Sequence, residues 1–177
     1  MASVRVSAFP ALKLLWHRAD RVRVVLRSYR SSVGELQSLL RESGDTGSLE
    51  VSVGQAQLGL LRLHDATLRK DGASLQASGR VLESDLRAAV PFLQDVTPVA
   101  SGAGTLTLRG RAGALGLSVS ASATVAASGG TLVVAPDVPL GGLAAITLFS
   151  DPAVEVLSVS GAPPPSGFAV AATARLR

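Results

Sequence analysis

Leu115-Gly116-Leu117-Ser118-Val119-Ser120-Ala121-Ser122-Ala123-Thr124-Val125 sets an apolar residue against a glycine or small polar residue at every step. A strict period of two puts all the apolar side chains on one face of a strand, and that face needs a second layer to cover it. The stretch therefore predicts a half-buried β-strand, with residues 105–109 and 131–135 as its pairing partners. A β-rich fold follows if the rest of the chain repeats the pattern, and it does.

Toward the C-terminus, 154–160 and 168–176 read as strands joined by Ala162-Pro163-Pro164-Pro165-Ser166-Gly167. Toward the N-terminus, strand-like text covers 49–53, 58–69 and 73–82, with Lys70-Asp71-Gly72 as a hairpin turn between the last two. Val4 and Val6 open the alternation. Residues 20–30 then place Val22, Val24 and Leu26 on one face and Arg21, Arg23, Arg27 and Tyr29 on the other. Two stretches change period. Ser32 and Glu35 form a capping box ahead of Val33, Leu36, Leu39 and Leu40, a helix closed by Ser43-Gly44-Asp45. A second helix follows Ser84, with Leu86, Ala89, Val90 and Leu93 at helical spacing, and Pro91 must kink or restart it. The expected fold is α+β: a strongly curved antiparallel sheet wrapped around or packed on two amphipathic helices, one domain over 1–177.

Bulk composition narrows the chemistry. With 47% hydrophobic and 17% charged residues the chain buries enough surface to fold. Only 3% is aromatic, so Leu, Val, Ala and Gly must fill the interior, and such groups leave gaps more readily than rings do. The absence of cysteine excludes disulfides, thiolate nucleophiles and Cys-type zinc sites. No apolar run reaches transmembrane length. The positive charge is concentrated: residues 1–30 carry Arg5, Lys13, Arg18, Arg21, Arg23, Arg27 and Arg30 against Asp20 alone.

Catalytic motifs fail on spacing. Asp45-Thr46-Gly47 matches the triplet of aspartic proteases, but it follows the polar end of a helix and has no second copy, so a turn explains the same letters. His17 and His64 are the only histidines; His64 and Asp65, adjacent on a strand, point to opposite faces and make no dyad. Gly102-Ala103-Gly104 lacks a third glycine and precedes a strand, so it cradles no phosphate. The expectation is a protein without catalytic residues, metal or cofactor. The basic face of 20–30 reads either as a solvated sheet face or as an anion-binding one, and with Tyr29 as its single aromatic it lacks the stacking platform of a nucleic-acid binder. Phe9, Leu12, Leu15 and Trp16, set among Lys13, His17 and Arg18, read either as a turn capping the core or as a membrane-interface segment, where Trp sits at headgroup depth and cations reach phosphates.

Val4-Arg5-Val6-Ser7-Ala8-Phe9-Pro10, then a short apolar segment, then Asp20-Arg21-Val22-Arg23-Val24, resembles the opening of the actinobacterial LmeA-type phospholipid-binding proteins. The likeness continues through the helix at Ser84-Asp85-Leu86 and the two closing strands. The resemblance implies a cell-envelope protein of tubular lipid-binding type that holds phospholipid in an apolar cavity. Members carry an N-terminal signal or anchor, and Met1-Ala2-Ser3 leads straight into strand. The expected location is extracytoplasmic if a leader was trimmed and cytoplasmic as the sequence stands. On this reading Leu36, Leu39, Leu40, Leu86, Val90 and Leu93 line the apolar interior, while Phe9, Leu12, Lys13, Leu15, Trp16 and Arg18 touch the membrane. The expected partner is phospholipid, with peripheral membrane contact and no nucleic acid; oligomeric state stays open. The competing expectation is an interaction module with a packed core whose basic face binds an acidic partner.

Overall fold

The computed structural model describes residues 3–7, 21–30, 47–92, 94–102, 104–114, 117–137, 144–162 and 168–177. These are mostly strand, arranged in two sheets with one short helix. The first sheet contains β1 (Ser3–Ser7), β2 (Arg21–Arg30), β3 (Ser48–Leu58), β4 (Leu61–Asp71), β5 (Ser74–Val81), β12 (Phe168–Leu176) and β11 (Val154–Ala162), in that spatial order. The second runs β10 (Ile146–Phe149), β9 (Thr131–Pro136), β8 (Leu117–Ser128), β7 (Thr105–Ala114) and β6 (Gln94–Gly102). The described part of the opening alternation, 117–125, forms the centre of a sheet: β8 pairs antiparallel with β7 on one side and β9 on the other.

Pairing in both sheets is antiparallel with one exception. β2 and β3 run parallel, with Val22 opposite Leu49 and Val24 opposite Val51. This corrects the expectation of a wholly antiparallel sheet. The two strands are separated by residues 31–47, which is crossover length rather than hairpin length. A second correction concerns the number of sheets: β6 and β10 carry little alternation, yet they complete a separate five-stranded layer.

The first sheet is strongly curled, and its register shows why. Between β2 and β3 the pairing skips Arg27 and Gly54, where a Cβ on Gly54 would lie 2.8 Å from the Arg27 carbonyl oxygen. Only glycine lets the strands approach so closely. In β4 the ladder to β5 shifts between His64 and Thr67, and Asp65 there has φ of 50°. β11 shifts against β12 between Val156 and Ser158, throwing Leu157 outward. The shifts in β4 and β11 are bulges, which increase twist and bend a sheet. At Arg27 and Gly54 the offset between β2 and β3 is unchanged, but both strands change phase: Leu26 and Tyr29, like Val53 and Ala56, lie on the same side. Tyr29, expected on the basic face, instead sits level with Ala56 on the apolar side.

The second sheet lies over the concave side. Leu106, Leu108, Val125, Leu132, Val134 and Leu148 belong to the same buried cluster as Val51, Val53, Val156 and Phe168 of the first sheet. Backbone bonds close both flanks. Along β11, the Val156 amide donates to the Gly130 carbonyl at 2.9 Å and the Val159 amide to Gly104 at 3.1 Å. On the far side, the Leu60 amide in the β3–β4 turn donates to Leu148 of β10 at 3.2 Å.

The helix α1 (Glu83–Ala89) links the two sheets. It buries Leu86 and Ala89 and stops earlier than its apolar spacing suggests. Val90 leaves the helical region, with φ −126° and ψ 70°, because Pro91 follows and disfavours a helical residue before it. The expected helix at 31–43 and residue Leu93 lie outside the described residues, so the described chain holds one short helix where two amphipathic ones were expected.

Candidate functional site

Between the concave side of the first sheet and the end of the second lies an apolar, partly open chamber. Its volume is about 200 Å³, room on the order of ten waters. Its lining is almost wholly hydrocarbon: Val51, Val53, Leu63, Leu68, Val156 and Phe168 are typical. Such a chamber gives water nothing to bond to, and an apolar occupant is favoured over water there.

Each wall follows from the local pattern. Inward-facing positions of β3, β4, β5 and β12 alternate with outward polar ones, and in the middle of the floor the inward positions are small. Ala77 of β5 stands opposite Ala172 of β12, both line the chamber, and Leu68 and Val159 flank them in register. Two methyl groups where two leucines could stand leave the space unfilled. At one end Leu86 of α1 closes the wall; at the other, Leu75, Val154 and Phe149 form a smaller apolar cluster. Lys70 faces inward between Leu49 and Leu75, only 3% exposed, and is engaged rather than free.

Of the residues expected to line the interior, Leu86 does line the chamber, and Val90 is fully buried beside it without being part of the lining. Leu36, Leu39, Leu40 and Leu93 fall outside the described residues, as do Phe9, Leu12, Lys13, Leu15, Trp16 and Arg18, and Asp45 with Thr46 of the protease-like triplet. Most of the lining comes instead from strands, including Tyr29. The alternation of 49–53 and 73–82 carried that information, but an inward apolar row looks the same in sequence whether it packs against atoms or against space.

Polar groups near the chamber pair with one another across elements. His64 does not meet Asp65, as expected; its Nε2 lies 2.9 Å from Asp85 Oδ2 on α1, and Arg62 reaches the other oxygen at 3.4 Å. Asp65 pairs with Arg80 instead. The sequence reading missed Asp85 because the partner lies across a connection, where no local spacing announces it. Among the described residues no three His, Cys, Asp or Glu side chains group closely enough to hold a metal ion. No described helix is long and apolar enough to cross a membrane.

The outer face of β2–β4 is charged. Arg23 donates to Glu50 Oε2 at 2.7 Å, and Arg69 lies 3.8 Å from the other oxygen. The hydrogen bond from Arg23 comes first among the causes that hold the Glu50 carboxyl below its ordinary value, with the charges of Arg23, Arg69 and Arg21 adding to it. Arg21 and Arg27 make no ion pair among the described residues.

Fold and chamber together define a two-sheet β protein with an apolar internal space. No family model matches the chain, and no curated protein or solved structure matches it either.

Proposed function

We propose that this chain is a non-enzymatic lipid-binding protein that holds the acyl part of a phospholipid between its two sheets. The observation that carries the reading is the chamber, about 200 Å³ of hydrocarbon-lined space in the middle of the fold. Each acyl CH₂ moved there from water contributes about 0.8 kcal/mol, so useful affinity needs no special residue. An empty apolar void of this order costs several kcal/mol, a sizeable part of a domain's stability, and an occupant recovers it.

The finer parts of the proposal are a tubular lipid-binding arrangement of LmeA type, with Leu36, Leu39 and Leu40 completing the wall from a helix at 31–43. Phe9, Leu12, Lys13, Leu15, Trp16 and Arg18 would meet the membrane. The setting is lipid homeostasis or transport at the cell envelope. The resemblance at 4–10 and 20–24 supports the headgroup class and the setting, and the chamber supports the acyl part.

Native mass spectrometry of the purified protein, followed by organic extraction, tests this. A phospholipid copurifying at fixed stoichiometry is the expected result. A clean apo mass together with no uptake of a fluorescent phospholipid rejects the reading. It would then favour a packed interaction module that works through its basic face.

A further inference from the structure

The convex side of the first sheet carries a stripe that the chamber does not explain. Arg21, Arg23, Val25 and Arg27 point outward in succession along β2, at a spacing of about 7 Å. Val25 is 44% exposed in the middle of the arginines, an unusual place for a bare apolar side chain on a charged strand. Arg23, Glu50 and Arg69 stand in one row across β2, β3 and β4. Glu50 is shared by both arginines of that row; the other exposed acids of these strands are Asp71 at the end of β4 and Asp65, which pairs with Arg80 of β5. With Arg62 and Asp65 of β4 engaged by Asp85 and Arg80, Arg21, Arg23, Arg27 and Arg69 face Glu50 and Asp71, and Arg21 and Arg27 hold no ion pair among the described residues. Arg5 of β1 lies opposite Arg23 in the register.

From this arrangement we infer that the outer face of β2–β4 docks on an anionic phospholipid bilayer. Two features choose a bilayer over a nucleic acid. The phase reversal at Gly54 turns Tyr29 inward, so no aromatic ring remains on this face of β2 to stack a base. Val25, central and exposed, suits an interface with an apolar layer beneath the phosphates, and a polynucleotide backbone offers it nothing. Arginine matches phosphate through its planar fork of donors. Docking here does not require the chamber to be filled.

The test is sedimentation with vesicles of phosphatidylcholine alone or with 30 mol% phosphatidylglycerol, at several salt concentrations. Each arginine near an anionic surface is worth about fivefold in partitioning. Arg21→Gln with Arg27→Gln is therefore expected to weaken binding to the anionic vesicles roughly 25-fold. Neither residue holds an ion pair among the described residues, so circular dichroism and the thermal midpoint should stay at wild type. Glu50→Gln is expected to act oppositely, raising partitioning several-fold, which a merely damaged protein would not do. Equal binding to neutral and anionic vesicles overturns the inference, as does wild-type partitioning of the double variant. Preference for duplex DNA with no gain from phosphatidylglycerol also overturns it. Lipid copurification reads the chamber by itself, so failure of either proposal leaves the other measurable.

Discussion

Ala172→Leu separates a chamber from a packed core, because the two predict opposite signs. Ala172 lies on the floor opposite Ala77, and its methyl group borders the space. If that space is empty in the lipid-free protein, three added carbons enter it. Each contributes about 0.8 kcal/mol, about 2.4 in all, less roughly 0.5–1 for lost rotamer freedom. The expected net is about 1.5 kcal/mol of added stability, or roughly 3–6 °C in the midpoint for a chain of this length. The same carbons displace three methylenes of a bound acyl chain, so uptake of a fluorescent phospholipid should weaken roughly fiftyfold. Urea unfolding of extracted protein and a lipid titration measure the two effects. A core already at native density would instead be overpacked by about 1–3 kcal/mol. A destabilised variant with unchanged uptake would refute the reasoning, and a stabilised one with weakened uptake sustains it.

Other expectations follow from single contacts. Gly59→Ala should cost about 1–3 kcal/mol in urea unfolding: its φ is +59°, and a Cβ there would lie 2.6 Å from the Leu148 carbonyl oxygen that ties β10 to the first sheet. Asp85→Ala removes the acceptor of His64 and Arg62 and should cost about 1–2 kcal/mol. Hydrogen exchange should quicken at Leu86 and Val90, whose amides donate to Leu82 and Leu86 within and just after α1, while β8 stays protected. Glu50 gives a pH dependence of defined sign. Its carboxyl is held below its ordinary value, so the stabilising pair is fully present above the ordinary carboxylate range and is lost as pH falls through the lowered value. An NMR titration of Arg23→Gln should show Glu50 moving back up, and an unmoved value would deny the pair its role.

Strand identity was legible wherever period-two alternation was clean: 168–176 coincides with β12, and the partners expected for 115–125 are the ones β8 has. β6 and β10 escaped because Pro98 interrupts one and the other is only four residues long. The face of Tyr29 escaped for a different reason. Alternation assigns faces only while the pleat is unbroken, and a single skipped pair at Arg27 and Gly54 inverts every assignment beyond it. That error had a functional consequence, since it moved an aromatic ring from the basic face into the chamber.

Sequence could show that this interior is made of small aliphatic groups, but not that it is incompletely filled, because filling depends on how far the sheet curls. The curl in turn rests on positions that look unremarkable in the chain: a glycine that admits a close carbonyl, an aspartate at positive φ, a bulge beside Leu157. These irregularities bend the seven strands until their concave side is wider than Ala77 and Ala172 can fill, while the second sheet, held at Gly104, Gly130 and Leu148, keeps the opposite wall from collapsing onto the floor. The space is thus a product of strand register and small side chains acting together. Enlarging an alanine on the floor should close it, whereas trimming a leucine of the wall such as Leu86→Ala should enlarge it, at a cost near the low end of the 2–5 kcal/mol usual for such truncations because part of that surface already borders empty space.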